Sequence, residues 1–191
     1  MKIFFDTEFT GLHKNTTLIS LGCVDEDGRT FYAELSDYDQ TQCDEWIKKN
    51  VIENLISKDP YVAHPACASI GDDGSMNVWG NKECVKEYLN QWLSIYDDVQ
   101  LVSDVCHYDM VLFIDLFGGA FDLPSQINPA CHDINQDIAR YYDISEKEAF
   151  DKSREGILDT RIEGDKHNSL YDAKVIRAIY KQLKYYSNEN L

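Results

Sequence analysis

Lys2-Ile3-Phe4-Phe5-Asp6-Thr7-Glu8-Phe9-Thr10-Gly11-Leu12 stands at the start of the chain, and the rest of the sequence is read outward from it. Ile3, Phe4 and Phe5 are a continuous apolar run of the kind that makes a buried strand, and the run ends in two carboxylates two residues apart. A period of two sends Asp6 and Glu8 to the same face. Two carboxylates on one face at the edge of a core repel each other and resist desolvation unless a cation lies between them. Hard divalent ions, which take oxygen ligands, meet that need. A plainer reading competes, in which the strand simply ends and both acids lie in water, so the remainder of the chain has to supply further ligands.

The 191 residues are most simply one domain, residues 1–191, large enough for a full core without staples. A hydrophobic content of 43% with four prolines and ten glycines is globular rather than disordered. No run is long enough for a membrane span, and Asp6 and Glu8 interrupt the place where a signal peptide needs an apolar core. The expectation is a cytoplasmic protein with no membrane partner. Cysteines stand at 23, 43, 67, 84, 106 and 131 with no Cys-x-x-Cys pair, which suggests neither a zinc ribbon nor a redox dithiol but reduced packing residues. A formal net charge of −16 repels nucleic acid at long range and excludes a non-specific coat protein. A nucleic-acid partner would have to be short or gripped at one end.

Residues 17–24 and 29–35 flank Asp25-Glu26-Asp27-Gly28, a hairpin signal that makes the first three strands antiparallel. Counting twelve from Asp25 reaches Ser36 where a calcium loop needs Glu, so this is a turn. Helical spacing is expected over 43–55, with Trp46, Ile47, Val51, Ile52 and Leu55 as core, and over 82–96. Residues 58–81 have no assignment beyond a loop over the site. A strand at 99–103, a helix at 108–117, a short strand near 129–132, helices over 133–142 and 146–154, and a last helix over 165–186 complete an α/β domain with a mixed sheet.

Active sites of such domains form where strand ends meet helix starts. Acids at three such places could converge: Asp6 with Glu8, Asp109 after Tyr108, and Asp172 with His167. Placed on the last helix, His167 and Asp172 would lie within about 140° of each other. Asp104 is the rival to Asp109, which is preferred because it follows an aromatic and opens the helix. His13, His64, His107 and His132 have no partner at useful spacing, and Asp133 and Asp165 read as helix-entry acids.

Asp6-Thr7-Glu8 with Thr10-Gly11-Leu12, then Tyr108-Asp109, then His167 with four residues before Asp172, resembles the three motifs of the DEDD exonucleases of the histidine subclass. That group includes ribonuclease T, oligoribonuclease and polymerase proofreading subunits. The opening motif, the Ile19-Ser20-Leu21-Gly22 strand, the Glu26-Asp27-Gly28 turn and Trp46-Ile47 are most similar to the short mycobacterial-type 3′-5′ exoribonucleases. The resemblance implies a ribonuclease H-like α/β fold, a mixed five-stranded sheet flanked by helices. It implies 3′-5′ exonuclease activity on RNA 3′ ends, single-stranded or overhanging, with single-stranded DNA as the alternative substrate and a non-cutting binder as the alternative class. A homodimer follows only by analogy.

The resemblance also assigns roles. Two Mg²⁺ or Mn²⁺ ions are held by Asp6, Glu8, Asp109 and Asp172, with Asp6 shared, and His167 is the general base. Leu12 is a wedge against the terminal base, amides around Thr10 hold the 3′ hydroxyl, and Thr7, Phe9, Gly11 and Tyr108 complete the substrate surface. Ordinary packing competes for Leu12, and Tyr61, Trp79, Tyr108 and Phe9 are candidates to stack on bases. Two departures stand out: Val105 where many relatives carry Asn, and Ser169 where many carry Ala.

Overall fold

The computed structural model describes residues 1–57 and 67–189. Strand β1 (Lys2–Phe9) is an interior strand of the sheet, with both faces covered. Ile3 and Phe5 enter one core and Phe4 the other, as period two requires. Strand β2 (Leu18–Asp25) pairs antiparallel with β1, and β3 (Thr30–Leu35) with β2. The turn between β2 and β3 is built on Asp25, whose Oδ1 accepts from the amides of Asp27, Gly28 and Arg29 at 2.7–2.9 Å. Gly28 takes the positive φ, 108°, that this turn needs.

Strands β4 (Ala68–Ile70), β5 (Met76–Gly80), β6 (Gln100–Ser103) and β7 (His132–Asp133) complete a seven-stranded sheet in the order β4-β5-β3-β2-β1-β6-β7. Five strands were expected. The difference is the β4–β5 hairpin, whose Gly71-Asp72-Asp73-Gly74 turn lies inside the unassigned stretch, with β5 running parallel to β3. Residues 58–66, including Tyr61 and His64, lie outside the described residues.

Helices α2 (Lys82–Leu93) and α3 (His107–Phe117) pack on the face that holds Ile3, Phe5 and Trp92. On the opposite face α4 (Ile134–Tyr142) and α7 (Ser169–Glu189) cover Phe4, Val24 and Val102. The short helices α5 (Glu146–Asp151) and α6 (Arg154–Ile157) lead from α4 toward α7.

Several expected helices change their limits: the one over 82–96 ends at Leu93, and the one over 146–154 is split into α5 and α6. The one expected over 43–55 is α1 (Glu45–Asn50) followed by a 3-10 turn over Ile52–Asn54, and Trp46 is exposed rather than core. Ile47, Val51 and Leu55 sit at i, i+4 and i+8 and are buried, whereas Trp46 is one position off that stripe. Helix α7 begins at Ser169, not 165, so His167 lies in the approach to it with φ of 64°.

Helix α7 comes very close to β2. A Cβ on Gly22 would stand 2.3 Å from the backbone of Ser169 and Leu170, so only glycine fits there. Beside it the fully buried hydroxyls of Ser20 and Ser169 hydrogen-bond at 2.9 Å. The Ser in place of Ala is absorbed by a partner on β2.

Candidate active site

β1 delivers Asp6 and Glu8 on the face that carries Phe4, which is the face α7 covers, so Asp172 in the first turn of α7 meets them. The β1–β2 register shifts between Glu8 and Phe9, a bulge that bends the strand end at the site. Asp109 enters from the first turn of α3 and is held by the end of β1 and by β6. Its Oδ1 accepts from the Thr7 amide at 3.1 Å and the Thr7 hydroxyl at 2.5 Å, and its Oδ2 from Ser103 Oγ at 2.8 Å.

Asp172 accepts from the backbone N–H of His167 at 2.9 Å, and Asn168 caps the helix by accepting the Tyr171 amide. Glu8, His167 and Asp172 bring one ligand atom each to within 4.8 Å of one another. The His167 ring meets the edge of Trp46, with centroids 5.0 Å apart at 72°.

These groups line a cleft of about 800 Å³. Asp6, Glu8, Asp109 and Asp172 line it together with Leu12, Trp46, Ile47, Phe150, Lys152, Arg154 and Lys166. Phe9 and Tyr108 stack on each other, 5.3 Å apart at 19°. Leu12 is 78% exposed, which removes the reading of it as a packing residue.

The electrostatics are those of an acid cluster awaiting cations. Burial first, and then the charges of Asp172 and Asp109, raises Glu8 from 4.5 to about 8. Burial raises Asp172 to about 7 against the opposing pull of the His167 amide and Lys166. Asp109 goes up to about 6, again by burial, with the Thr7 and Ser103 hydrogen bonds restraining it. Asp6 lies well above its ordinary value through burial and repulsion from Asp109, Glu8 and Asp172. His167 is lowered, by burial first and then by Lys166, which favours a neutral imidazole. An all-oxygen donor set whose anions repel one another fits hard divalent ions such as Mg²⁺ or Mn²⁺.

A family model described as 3′-5′ exoribonuclease Rv2179c-like domain matches residues 1–183. The chain belongs to the Rv2179c-like 3′-5′ exoribonuclease family. It is accordingly an exonuclease, a phosphodiester hydrolase. The 3′-5′ exoribonuclease Rv2179c of Mycobacterium tuberculosis is 28% identical over 138 residues, 71% of this chain and 73% of that protein. Among solved structures, the nuclease domain of 3′hExo, a DEDDh family member bound to rAMP, superposes with a TM-score of 0.67 at 12% identity, covering 96% of this chain and 91% of that one. Pop2p of S. pombe, in its Mg²⁺ and Mn²⁺ bound form, gives a TM-score of 0.61 at 15% identity, covering 96% of this chain and 82% of that one. The ribonuclease H-like fold of this Rv2179c-like enzyme is thereby fixed.

Several expectations about the site change. Thr7 is buried in the cleft lining and its hydroxyl donates to Asp109, so it supports a carboxylate. Thr10 is buried as well; its amide donates to Thr17 O at 3.0 Å and that of Gly11 to Thr16 Oγ1 at 3.0 Å. Neither amide is free to grip a 3′ hydroxyl. Asp104, the rival of Asp109, is tied to Arg154. His132 has a partner after all, Asp137 at 2.6 Å, at a spacing of five. Trp46 and Ser103 are site residues that the sequence reading missed: Trp46 was legible as the residue off the buried stripe, while nothing in the sequence marked Ser103.

Proposed function

We propose that this Rv2179c-like enzyme is a divalent-metal-dependent 3′-5′ exoribonuclease, a single domain over residues 1–191 that acts in the cytoplasm on single-stranded or overhanging RNA 3′ ends. The observation that carries the reading is the convergence of Asp6, Glu8, Asp109 and Asp172 in one cleft, with the lowered His167 beside Glu8 and Asp172.

Two Mg²⁺ or Mn²⁺ ions, when bound, activate the attacking water and offset charge on the leaving 3′ oxygen. Asp6 would be the ligand they share, Glu8 and Asp172 would hold one, and Asp109 the other. Thr7 and Ser103 keep Asp109 in one orientation, so its carboxylate is in place before cations arrive. The neutral His167 imidazole accepts the proton of the attacking water, and its pKa below the ordinary histidine value keeps it unprotonated at neutral pH. Leu12, exposed at the margin, stands as the wedge against the terminal base, with Trp46 also lining the cleft and with Phe9 and Tyr108 as an aromatic surface.

The test uses 5′-labelled RNA and DNA oligomers of one sequence, incubated with Mn²⁺ or Mg²⁺ and resolved on a gel. A ladder of single-nucleotide steps on RNA, abolished by EDTA and by a 3′ phosphate, is the expected outcome. Cleavage of a circular substrate, or a ladder undiminished by EDTA, would overturn the reading.

A further inference from the structure

The loop between β6 and α3 presents Asp109, yet it has little to hold it locally. Cys106, at the cap position of α3, makes no side-chain cap bond. Val105 has φ of 56°, a left-handed conformation that a β-branched residue adopts only under constraint. The remaining loop residue, Asp104, is gripped from outside. Its Oδ1 accepts from Arg154 Nη2 at 2.8 Å and from Asn135 Nδ2 at 2.8 Å, and its Oδ2 accepts from Arg154 Nε.

Arg154 is wholly committed to this network. Its Nη2 also donates to Asn135 Oδ1 at 2.7 Å, and its Nη1 donates to the carbonyls of Ala149 at 2.8 Å and Lys152 at 3.1 Å. The Arg154 and Asp104 side chains are 16% and 22% exposed, so the pair is screened from solvent on most sides. A fork of this kind is the geometry guanidinium offers and ammonium does not.

Of the three carboxylates in the cleft lining beyond the four proposed ligands, Asp44, Asp104 and Glu155, Asp104 is the one whose charge bears on Asp6, Asp109 and Asp172 together. Oxygen-seeking cations have no intrinsic means of distinguishing it from those four. Its engagement by Arg154 and Asn135 holds it away from that role.

We infer that Arg154 is a positioning residue that selects the ligand set: by holding Asp104 in a bidentate pair it keeps a fifth carboxylate from competing with Asp109 for the divalent ion. The inference rests on the metal-dependent reading above. It also gives the α5–α6 segment a task, because that segment carries the guanidinium to the loop.

Removal of Arg154 by this account frees an anion at the site, so cation binding tightens while catalysis worsens. General structural damage would weaken both. The experiment compares wild type, R154M, D104N and R154M/D104N by Mn²⁺ titration calorimetry without RNA and by turnover on a labelled RNA oligomer. Expected for R154M is Mn²⁺ binding tighter by about threefold or more with kcat down about tenfold or more, the sign following from the loss of one positive charge, which leaves the Asp104 anion uncompensated near the ion. R154M/D104N should return to within about threefold of D104N in both, since the freed carboxylate is gone. R154Q, which keeps a hydrogen-bonding head without the charge, is held to the same outcomes should R154M not fold. Weaker Mn²⁺ binding in R154M, an unchanged kcat, or a double variant as impaired as R154M each overturns the inference. Failure of wild type to bind Mn²⁺ at all would instead sink the metal-dependent reading on which it rests.

Discussion

The backbone N–H of His167 donates to Asp172 Oδ2 at 2.9 Å, so the third motif binds its own two ends together. The bond requires His167 to turn left-handed, with φ of 64°, and so aims its ring across the cleft toward Glu8 and Trp46. It sets the choice of variant for testing the base. Asparagine tolerates this backbone better than alanine does and cannot accept a proton at neutral pH. His167→Asn is expected to keep its melting temperature and its Mn²⁺ binding while kcat falls by the ~10²–10⁴ typical of a lost general base. Near-normal turnover would make His167 structural, and loss of Mn²⁺ binding would make it a ligand.

With His167 as base, the acid limb of the rate profile has a definite sign. Burial and Lys166 lower its pKa, so the rate should rise with pH and level off below the ordinary histidine value of about 6.5. Lys166→Ala removes one of the two causes and should move that limb upward. A limb that stays in place when Lys166 is lost assigns the titration to another group, measured by kcat against pH at saturating metal.

The packing of α7 on β2 yields a stability prediction. Gly22→Ala would put a methyl 2.3 Å from the Ser169 backbone, where a strand and a helix N-terminus both have to move. A loss of about 1–3 kcal/mol in urea denaturation is expected, with turnover falling too because Asp172 is three residues beyond Ser169. Full stability in this variant would mean that α7 sits farther from β2 than the structure has it.

How far the sequence revealed this site depends on what each residue does. That Asp6, Glu8, Asp109 and Asp172 come together in one cleft was legible because they stand at a strand end and in first helical turns, where period and order locate them. That the Thr7 hydroxyl faces Asp109 was not legible, because it depends on where α3 crosses the strand end, a tertiary fact. The departure at Val105 was visible, but the hold on the neighbouring Asp104 was not, since Arg154 lies 50 residues beyond it. The β4–β5 hairpin escaped because three-residue β4 is too short to show alternation and its Gly71 and Gly74 turn reads as irregular chain. Helix α7 was expected to start too early because Asp165-Lys166-His167 is polar and helix-compatible, whereas the left-handed turn at His167, its amide bonded to Asp172, and the Asn168 cap set the start at Ser169.

Val105 itself offers a stabilising change. A β-branched residue at φ of 56° stores strain of order 1–3 kcal/mol, and Asn or Gly occupies that region more readily. Val105→Asn is expected to raise the urea midpoint with an unchanged m-value. A lowered midpoint would show that the Val105 side chain, 36% exposed at the cleft margin, makes contacts worth more than the strain.

The acid cluster makes a last prediction, about pH and metal together. Glu8, Asp172 and Asp109 have folded pKa values of about 8, 7 and 6, above the ordinary 4.5, 3.8 and 3.8. The metal-free folded state therefore holds protons that the unfolded chain has already released. The stabilisation these groups provide is full below about pH 4 and is lost as pH rises through about 6 to 8. In EDTA the melting temperature should fall across that window, and added Mn²⁺ should recover more of it at pH 8 than at pH 5, because the cation binds the deprotonated carboxylates. The net charge of −16 pushes the same way, so the assignment needs a variant. Glu8→Gln removes the most strongly raised of these three acids while changing the net charge by one. It should flatten the EDTA curve and melt higher than wild type at pH 8, by ~2–4 °C for each kcal/mol relieved. Should the variant keep the wild-type slope, the slope belongs to the surface charge and the cluster is not the source of the strain.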